Sequence, residues 1–454
     1  MKNFKFLLFG IMLSLLLPVG EAGAIFLLIS PGAAAQGTGE ANVARVDDAY
    51  ASYYNPAALA FQKERSIAGM HVNWLKSLVP DLYYEYLGFS IPLKGDIGGI
   101  GGHLIFLSLG EQTATNEVGD YLGSFSSYMY ALDGSYGTKL TDNSALGLGF
   151  KIYHQKLADA SVAGESGEGK PYSTDFAFDI SYLYRKEILN KNKYSFGFNI
   201  SNIGPPISFV DEDQADPAPT NMRIGFFGNL YEDEFTRLNM MVDMQKLLVA
   251  KYPSMDWDGD RLIGGGPGSD NFTNSGGQNE ASYSDPWYKA WATAWLDDWY
   301  YGGDIDWDGD MKIGGWYWVD GYSDAVTNGQ IDEGELIDES NQNAVDQCGS
   351  ACSGDAIYSN WDGTTAYREL GSGKDRKFSD EFKEVILNTG FEFWYTESFV
   401  LRAGYIYDEE GDIKAPTFGA GLRFGGYGFD FGYTAGDKSH PRSNSLFFSI
   451  SANI

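Results

Sequence analysis

Alternating carboxylates in one acidic stretch are the residues whose types and spacing could do chemistry. The run Asp-Trp-Asp-Gly-Asp occurs twice, with an offset of 50 residues, and one further aspartate precedes the second copy. Carboxylates that alternate before a glycine can surround a hard cation with oxygen ligands, and the glycine permits the sharp turn of a calcium loop. The match is partial, because Gly315 stands at the twelfth position, where such a loop has an acidic residue. The carboxylates are Asp256, Asp258, Asp260, Asp304, Asp306, Asp308 and Asp310.

A third acidic run supplies the other half of the calcium-loop pattern. Asp324 fits the first position, and Val326 departs from the pattern at the third. Asn328 and Asp332 fit the fifth and ninth positions, and Glu335 fits the twelfth. We therefore predict that this stretch binds calcium, with Asp324, Asn328, Asp332 and Glu335 as further ligands. The alternative is a solvated acidic loop in which aspartate and asparagine side chains form local turns.

The remaining reactive residues do not form a recognisable enzyme motif. Cys348 and Cys352 are the only cysteines, and in an oxidising compartment they could pair to close a small loop. The four histidines are scattered, and no G-x-S-x-G, H-E-x-x-H or phosphate-binding loop occurs. The net charge of -30 argues against nucleic acid as a partner, because phosphates are bound by basic residues. We expect a protein that is not an enzyme.

More than half of the negative charge lies in the stretch that carries these motifs. Residues 251–380 contain 25 acidic and 8 basic residues, a net of -17. Within it, Asp285-Pro286 predicts a helix start, with a capping carboxylate and a proline in the first turn. Tryptophans at every fourth position then predict one face of a short helix, packed as local core or, alternatively, presented to a partner or glycan. These tryptophans are Trp287, Trp291, Trp295 and Trp299.

The first residues have the three parts of a secretory signal. Lys2 and Lys5 precede an apolar run over residues 6–17, and Ala22-Gly23-Ala24 follows as a small-residue cleavage site. The run is too short for a membrane-spanning helix, which needs about 20 apolar residues. We therefore predict an exported protein with a signal peptide over residues 1–24.

Outside the acidic stretch, apolar side chains recur at every second residue. In 175–185, for example, Phe176, Phe178 and Ile180 share one face, and more polar residues share the other. Such alternation predicts strands with one apolar face. We count about fourteen of them, and many have the roughly 9–11 residues of a tilted membrane-spanning strand.

Connection lengths separate the two ends of these strands. Connections after even-numbered strands are short, and those after odd-numbered strands are mostly longer. In outer-membrane barrels the short turns face the periplasm and the long loops face outward, whereas a soluble β-sandwich would not sort its loops in this way. The sequence thus predicts an all-β, 14-stranded antiparallel transmembrane barrel with a large extracellular insertion. The predicted parts are an N-terminal segment over 25–64, strands 1–9 over 65–248, the insertion over 249–380 and strands 10–14 over 381–454.

Several runs of the sequence are characteristic: Ile29-Ser30-Pro31-Gly32-Ala33, Asp47-Asp48-Ala49, Asn55-Pro56-Ala57, 243–249, Glu392-Phe393-Trp394-Tyr395 and Leu401-Arg402-Ala403-Gly404-Tyr405. With these runs the sequence resembles a known family of barrels, the PorV/PorQ proteins, which are FadL-like outer-membrane proteins of the type IX secretion system. The resemblance implies a bacterial outer-membrane location, with contact to membrane lipid. It also implies that residues 25–64 fold at or inside the barrel as a hatch, with Asn55, Pro56 and Ala57 as the hatch motif.

The resemblance further implies a role in protein export. PorV-like proteins receive cargo that bears a C-terminal signal domain from the translocon and pass it to a cell-surface sortase. We therefore expect a shuttle protein with the translocon, the sortase and secreted cargo as partners. One alternative is a FadL-like channel for hydrophobic small molecules, although Lys151, Asp179 and Arg402 on the predicted inward faces disfavour an apolar tunnel. Another is a surface structural protein that uses the insertion for adhesion.

Overall fold

The computed structural model of the chain is built mainly from β-strands. It describes residues 22–75, 81–95, 97–115, 121–158, 171–188, 191–209, 215–252, 255–256, 273, 277, 279–297, 304–305, 316–319, 357–359, 365–368, 378–436 and 444–454. The chain divides into two compact units, one of Met1–Val249 with Lys383–Ile454 and the other of Ala250–Phe382. No helix among the described residues is long and apolar enough to cross a bilayer.

Fourteen strands of the first unit form a closed barrel. Each strand is antiparallel to its neighbours in sequence order, and the last pairs with the first through Ser66 opposite Asn453 and His71 opposite Phe448. The predicted 14-stranded antiparallel barrel is therefore confirmed. The strands are β1 (Ser66–Asn73), β2 (Tyr83–Pro92), β3 (Gly99–Thr115), β4 (Tyr121–Thr141), β5 (Ser144–Lys156), β6 (Tyr172–Ile188), β7 (Lys191–Ile203), β8 (Asn221–Glu232), β9 (Arg237–Leu247), β10 (Ile386–Thr396), β11 (Phe399–Asp408), β12 (Ile413–Phe424), β13 (Tyr427–Thr434) and β14 (Ser445–Asn453).

The two ends of the barrel differ in their connections. At the end that we call the short-turn end, strands are joined by tight turns such as Gly425-Gly426, where both residues have positive φ angles of 59° and 84°. Such angles suit glycine because it lacks a Cβ atom. At the opposite, long-loop end, the connection between β7 and β8 covers residues 204–220. The start of β1 and the end of β14 both lie at the short-turn end.

The alternation seen in the sequence separates the two faces of the barrel wall. On β5, Leu146, Leu148, Phe150 and Ile152 are exposed on the outside, whereas Lys151 between them is buried inside with 3% of its surface exposed. Successive side chains of a strand point to opposite faces, so the period of two gives each strand one apolar outer face. This is the pattern of a barrel that meets lipid.

Strand β10 starts at Ile386, although the sequence had suggested 381. Its partner β9 ends at Leu247, and Ile386 is opposite Gln245. Beyond that point Leu248 donates its N–H to the carbonyl of Thr220 instead. Residues before Ile386 therefore have no neighbouring strand on that side, and Asp380–Phe382 forms a short 3-10 helix.

The N-terminal segment, by which we mean residues 22–64, contains only short helices. It has 3-10 helices at Ile25–Leu28 and Pro56–Phe61 and α-helices at Ala33–Gly37 and Ala51–Tyr54. Small and apolar residues of these helices, among them Ala33, Ala57 and Leu59, have no exposed surface. They belong to one apolar cluster with inward residues of the barrel such as Tyr84 and Tyr153.

In the part of the second unit that the structure describes, there are short strands and one short α-helix. A three-stranded sheet is formed by Trp316–Val319, Thr365–Arg368 and Ile357–Ser359. Lys251–Tyr252 pairs with Tyr283–Ser284, and Met255–Asp256 pairs with Asp304–Ile305. The α-helix is Trp287–Thr293.

The start and length of this helix differ from the prediction. Pro286 is the N-cap residue and no side chain caps the helix. The carboxylate of Asp285 instead accepts a hydrogen bond from Lys289 Nζ at 2.6 Å, which is a better partner than a neutral backbone N–H because it is charged. The predicted capping role of Asp285 is therefore wrong. Trp287 and Trp291 lie on the helix, whereas Trp295 lies beyond its end.

Candidate functional site

The inside of the barrel is the candidate site, and glycines on its inward face hold the backbone of the N-terminal segment. A Cβ atom added to Gly137 of β4 would lie 2.5 Å from the carbonyl oxygen of Pro56. A Cβ added to Gly197 of β7 would lie 2.6 Å from the carbonyl oxygen of Val43, and one added to Gly432 of β13 would lie 2.5 Å from that of Ala33. The same close approach to this segment recurs at Gly88, Gly99, Gly147, Gly390 and Gly404.

Asn55 fixes the turn that begins the last short helix of the segment. Its side-chain oxygen accepts the N–H of Ala57 at 3.1 Å, and its amide donates to the carbonyl oxygens of Val43 at 3.0 Å and Tyr182 at 3.2 Å. Pro56 occupies the first helical position, where its missing N–H costs nothing. The Asn-Pro-Ala run thus joins two parts of the segment to strand β6.

Asp243 on β9 anchors the middle of the segment. Its Oδ2 atom accepts the backbone N–H groups of Asn42 at 2.6 Å and Val43 at 2.8 Å. Asp243 has 3% of its surface exposed, and a buried carboxylate is stabilised by such donors. On the neighbouring strand, Arg223 donates to the hydroxyl of Tyr53 at 3.2 Å.

A buried ion network ties the segment to the short-turn end of the wall. The Glu392 carboxylate on β10 forms ion pairs with Arg45 of the segment at 3.1 Å and with Arg402 of β11 at 2.8 Å. Arg402 also bonds Asp430 at 2.8 Å, and Asp430 bonds Arg423 at 3.0 Å. Glu392 and Arg402 are 2% and 4% exposed, so each charge depends on its partners for the stabilisation that water would otherwise give.

A second buried network contains serine, histidine and aspartate, but it lacks the geometry of a catalytic triad. Ser52 Oγ lies 2.9 Å from Nδ1 of His103, and Asp133 Oδ1 lies 3.5 Å from the same nitrogen. A triad needs the serine and the aspartate on different ring nitrogens, so that a proton can pass through the imidazole. Nearby, Lys151 pairs with Asp179 at 2.9 Å. The Ser52–His103 contact thus links the segment to the barrel wall.

Aromatic side chains follow one row around the outside of the wall near the long-loop end. Ring centroids are 6.1 Å apart for Tyr83 and Phe106, 6.1 Å for Phe106 and Tyr128, and 5.8 Å for His154 and Tyr172. Bands of aromatic residues mark the membrane–water boundary of transmembrane barrels. The row therefore marks the edge of the outer apolar band at the long-loop end.

The side chains of the predicted calcium ligands lie outside the residues that the structure describes. Only the backbone of Asp256 and Asp304 is described, and these two residues stand opposite each other in a two-residue antiparallel pair. This pairing places the starts of the two repeats side by side. The other predicted ligands and both cysteines fall outside the described ranges: Asp258, Asp260, Asp306, Asp308, Asp310, Asp324, Asn328, Asp332, Glu335, Cys348 and Cys352.

The tryptophan helix has a core of small residues. Ala290 and Ala294 are buried against Ala250 and Tyr252, whereas Trp287 is 45% exposed and touches Trp291 with ring centroids 5.7 Å apart. Both predicted roles of the tryptophans therefore stay open for Trp287 and Trp291. Trp299 lies outside the described residues.

Sequence reasoning found the inward charges Lys151, Asp179 and Arg402 but missed Arg45, Asp243 and Glu392 as anchors. Arg45 precedes two aspartates in the sequence and looks like part of a solvated charged run. A signal was available for Glu392, since it stands at an inward position between the outward Phe391 and Phe393.

These features define a bacterial outer-membrane barrel whose interior is occupied by its own N-terminal segment. The family described as type IX secretion system protein PorV matches residues 19–254, which is more than half of the chain, and the protein belongs to this family. The resemblance seen in the sequence is thereby confirmed. The chain is thus an outer-membrane component of the type IX secretion system.

Three similar solved structures are distant in sequence. The toluene transporter TodX of Pseudomonas putida shares 10% identity, with 94% of this chain and 99% of that chain covered and a TM-score of 0.44. The toluene transporter TbuX of Ralstonia pickettii shares 11% identity, with 94% and 98% covered and a TM-score of 0.42. A FadL homologue of Pseudomonas aeruginosa shares 11% identity, with 96% and 99% covered and a TM-score of 0.38. A comparison with curated proteins gave no match.

Proposed function

We propose that this protein binds secreted cargo through the cargo's C-terminal signal domain and passes it from the translocon to a surface sortase, without covalent chemistry of its own. The observation that supports this most is the occupied barrel interior. Backbone groups of Asn42, Val43 and Ala57 are hydrogen-bonded to inward side chains of the wall. A folded cargo domain would therefore have to bind the loops and the rim.

The same observation disfavours the alternative function, a channel for hydrophobic small molecules. Such a channel needs an apolar path through the barrel. Along the inside, Glu392, Arg402 and Lys151 are buried charges, and Leu59 is packed against the wall with no exposed surface. Transport of small apolar molecules would require the segment to leave these contacts.

We also propose that the insertion between β9 and β10 faces the cell exterior and binds calcium. Its position after an odd-numbered strand supports the orientation, because those connections form the long-loop end. The repeated Asp-Trp-Asp-Gly-Asp run supports the cation. The backbone pairing of Asp256 with Asp304 would bring ligands of both repeats to one place.

The cargo hypothesis can be tested by affinity capture of the tagged protein from gently solubilised outer membranes, followed by mass spectrometry. We expect to recover a large translocon, a sortase and proteins that share a C-terminal signal domain. An unrelated tagged barrel from the same membranes is the control. Recovery of fatty acid or other apolar small molecules, with none of those proteins, would overturn the proposal in favour of the channel. Repeating the capture with a calcium chelator shows whether the insertion contributes to partner binding.

A further inference from the structure

A pocket of about 570 Å³ opens at the short-turn end of the barrel, among side chains of β9, β10 and β12. Its lining includes four arginines, one tryptophan and several acidic residues near the rim. Three of the arginines already have carboxylate partners. Arg45 pairs with Glu392 at 3.1 Å, Arg423 pairs with Asp430 at 3.0 Å, and Arg185 lies 3.1 Å from Glu187.

The fourth arginine, Arg237, has a different environment. Among the described residues no carboxylate forms an ion pair with it, and its Nε–H is buried without an acceptor. Glu232 stands opposite Arg237 across the β8–β9 hairpin, but the Glu232 carboxylate forms an ion pair with Lys193 at 2.6 Å. Arg237 is half-buried and lines the pocket.

Trp394 stands directly opposite Arg237 in the pairing of β9 with β10. Two guanidinium groups lie over its indole ring, with Arg237 Cζ at 4.9 Å and Arg423 Cζ at 5.7 Å from the ring centroid. The ring is 9% exposed, and its Nε1–H has no acceptor among the described residues. Both cations are within cation–π distance of the ring, and the N–H is the polar group of the indole.

Two buried N–H donors without acceptors among the described residues thus occur in one pocket, and one of them belongs to a cation that has no ion-pair partner among those residues. A buried N–H that makes no hydrogen bond destabilises a protein by about 1–3 kcal/mol, so such groups usually have partners. An anionic oxygen acceptor would satisfy both donors and the charge of Arg237 together.

We propose that this pocket binds a carboxylate group of a peptide, held by the guanidinium of Arg237 and the indole N–H of Trp394. Exposed Asp47, Glu234 and Glu397 surround the site at the rim and repel multiply charged anions such as phosphate. A peptide carboxylate carries a single charge, and the N–H groups of the attached chain can meet the rim carboxylates. This site is independent of cargo binding at the loops.

Indole N–H resonances of the full chain in detergent micelles provide the test. The Trp394 resonance is identified as the one that disappears in W394F, a variant that keeps an aromatic ring beside the arginines. The probes are N-acetyl-Ala-Ala, which has a free terminal carboxylate, its C-terminal amide, N-acetyl-Asp-amide and inorganic phosphate. We expect a saturable shift of this resonance with N-acetyl-Ala-Ala and none with its amide. A matching shift with N-acetyl-Asp-amide would show that a side-chain carboxylate is accepted as well.

Two variants separate recognition from a general effect of charge. R237Q removes the cation and is expected to weaken binding of N-acetyl-Ala-Ala roughly tenfold or more, as for the loss of one charge-assisted hydrogen bond. R237M, which keeps an unbranched apolar stem without the charge, serves the same purpose if R237Q does not fold. K63Q removes an exposed cation that lies outside the pocket lining and is expected not to weaken binding. Equal shifts with acid and amide, a shift with phosphate alone, or no shift with any probe would each overturn the proposal.

Discussion

Glycines on the inward faces of the strands determine where the N-terminal segment can lie. At Gly137 on β4, the nearest atoms to an added Cβ belong to Pro56, Ala60 and Leu59 of the segment. On the same strand, Gly134 points outward, and an added Cβ there would meet no atom within 4 Å. Gly137 and Gly134 are therefore glycines of the same strand, and only Gly137 contacts the segment.

The first prediction uses this matched pair. G137A should destabilise the folded barrel by about 1–3 kcal/mol, because the new methyl group must displace the backbone of the segment. G134A should leave stability nearly unchanged. The measurement is the urea concentration at which the folded form is lost in lipid vesicles, read from the difference in gel mobility between folded and unfolded barrel. Equal midpoints for the two variants would mean that the segment does not rest on this wall.

The buried ion network gives a second residue-scale prediction. Glu392 is the carboxylate shared by Arg45 and Arg402, so E392Q leaves two buried guanidinium groups without their common anion. Breaking a buried pair in this way costs about 3–5 kcal/mol. The control is D412N, since Asp412 is 90% exposed and lies 3.7 Å from Lys414 at the barrel edge, where ion pairs contribute little. If E392Q unfolds at the same urea concentration as D412N, the network does not stabilise the segment.

At the scale of elements, alternation made the barrel predictable and long-range contacts made its interior unpredictable. Each strand carries its own period-two signal, as in the exposed Leu146, Leu148 and Phe150 of β5, so the count of fourteen followed from local sequence. The Arg45–Glu392 contact joins residues 347 positions apart, and nothing near either residue indicates the other. The capping role of Asp285 failed for a local reason, because Lys289 four residues further on competes for the carboxylate.

The turn between β8 and β9 is stabilised by a single exposed side chain. Asp233, between β8 and β9, accepts the backbone N–H groups of Thr236 at 2.7 Å and Phe235 at 2.9 Å. These hydrogen bonds hold the pKa of Asp233 below its usual range. Its contribution to the turn is therefore present above the ordinary aspartate pKa and is lost as the pH falls through the lower value in the folded protein.

The insertion carries the element-scale prediction, which concerns the proposed calcium site. Terbium substitutes for calcium, and excitation of a nearby tryptophan makes the bound ion luminesce, so Trp307 between Asp306 and Asp308 would report binding. We expect terbium luminescence that calcium displaces, and D306N combined with D308N should reduce it. The control is D362N, since Asp362 lies in a similar run without further ligands. Unchanged luminescence in the double variant would favour the solvated acidic loop.

At the scale of the whole molecule, the outer and inner faces of the barrel wall have different surroundings. The outer face must be apolar to meet lipid, whereas the inner face must satisfy the polar backbone of the N-terminal segment. Inward side chains accept backbone N–H groups of the segment, from Val43 at Asp243 and from Ala57 at Ser181, and Glu392 pairs with the side chain of Arg45. Because these contacts come from β6, β9 and β10, the segment connects distant parts of the wall.

A barrel filled in this way should not conduct ions as an open pore does. In planar lipid bilayers we expect the wild-type protein to give no stable open-pore steps, because the segment occupies the space that water fills in porins. G137A should open more often than G134A, since only the first pushes the segment away from the wall. If the wild type itself opens to a stable pore, the segment is not a fixed part of the interior and the channel alternative gains support. If all three proteins stay closed, the remaining anchors at Asp243 and Glu392 are enough to hold the segment after one of its glycine contacts is lost.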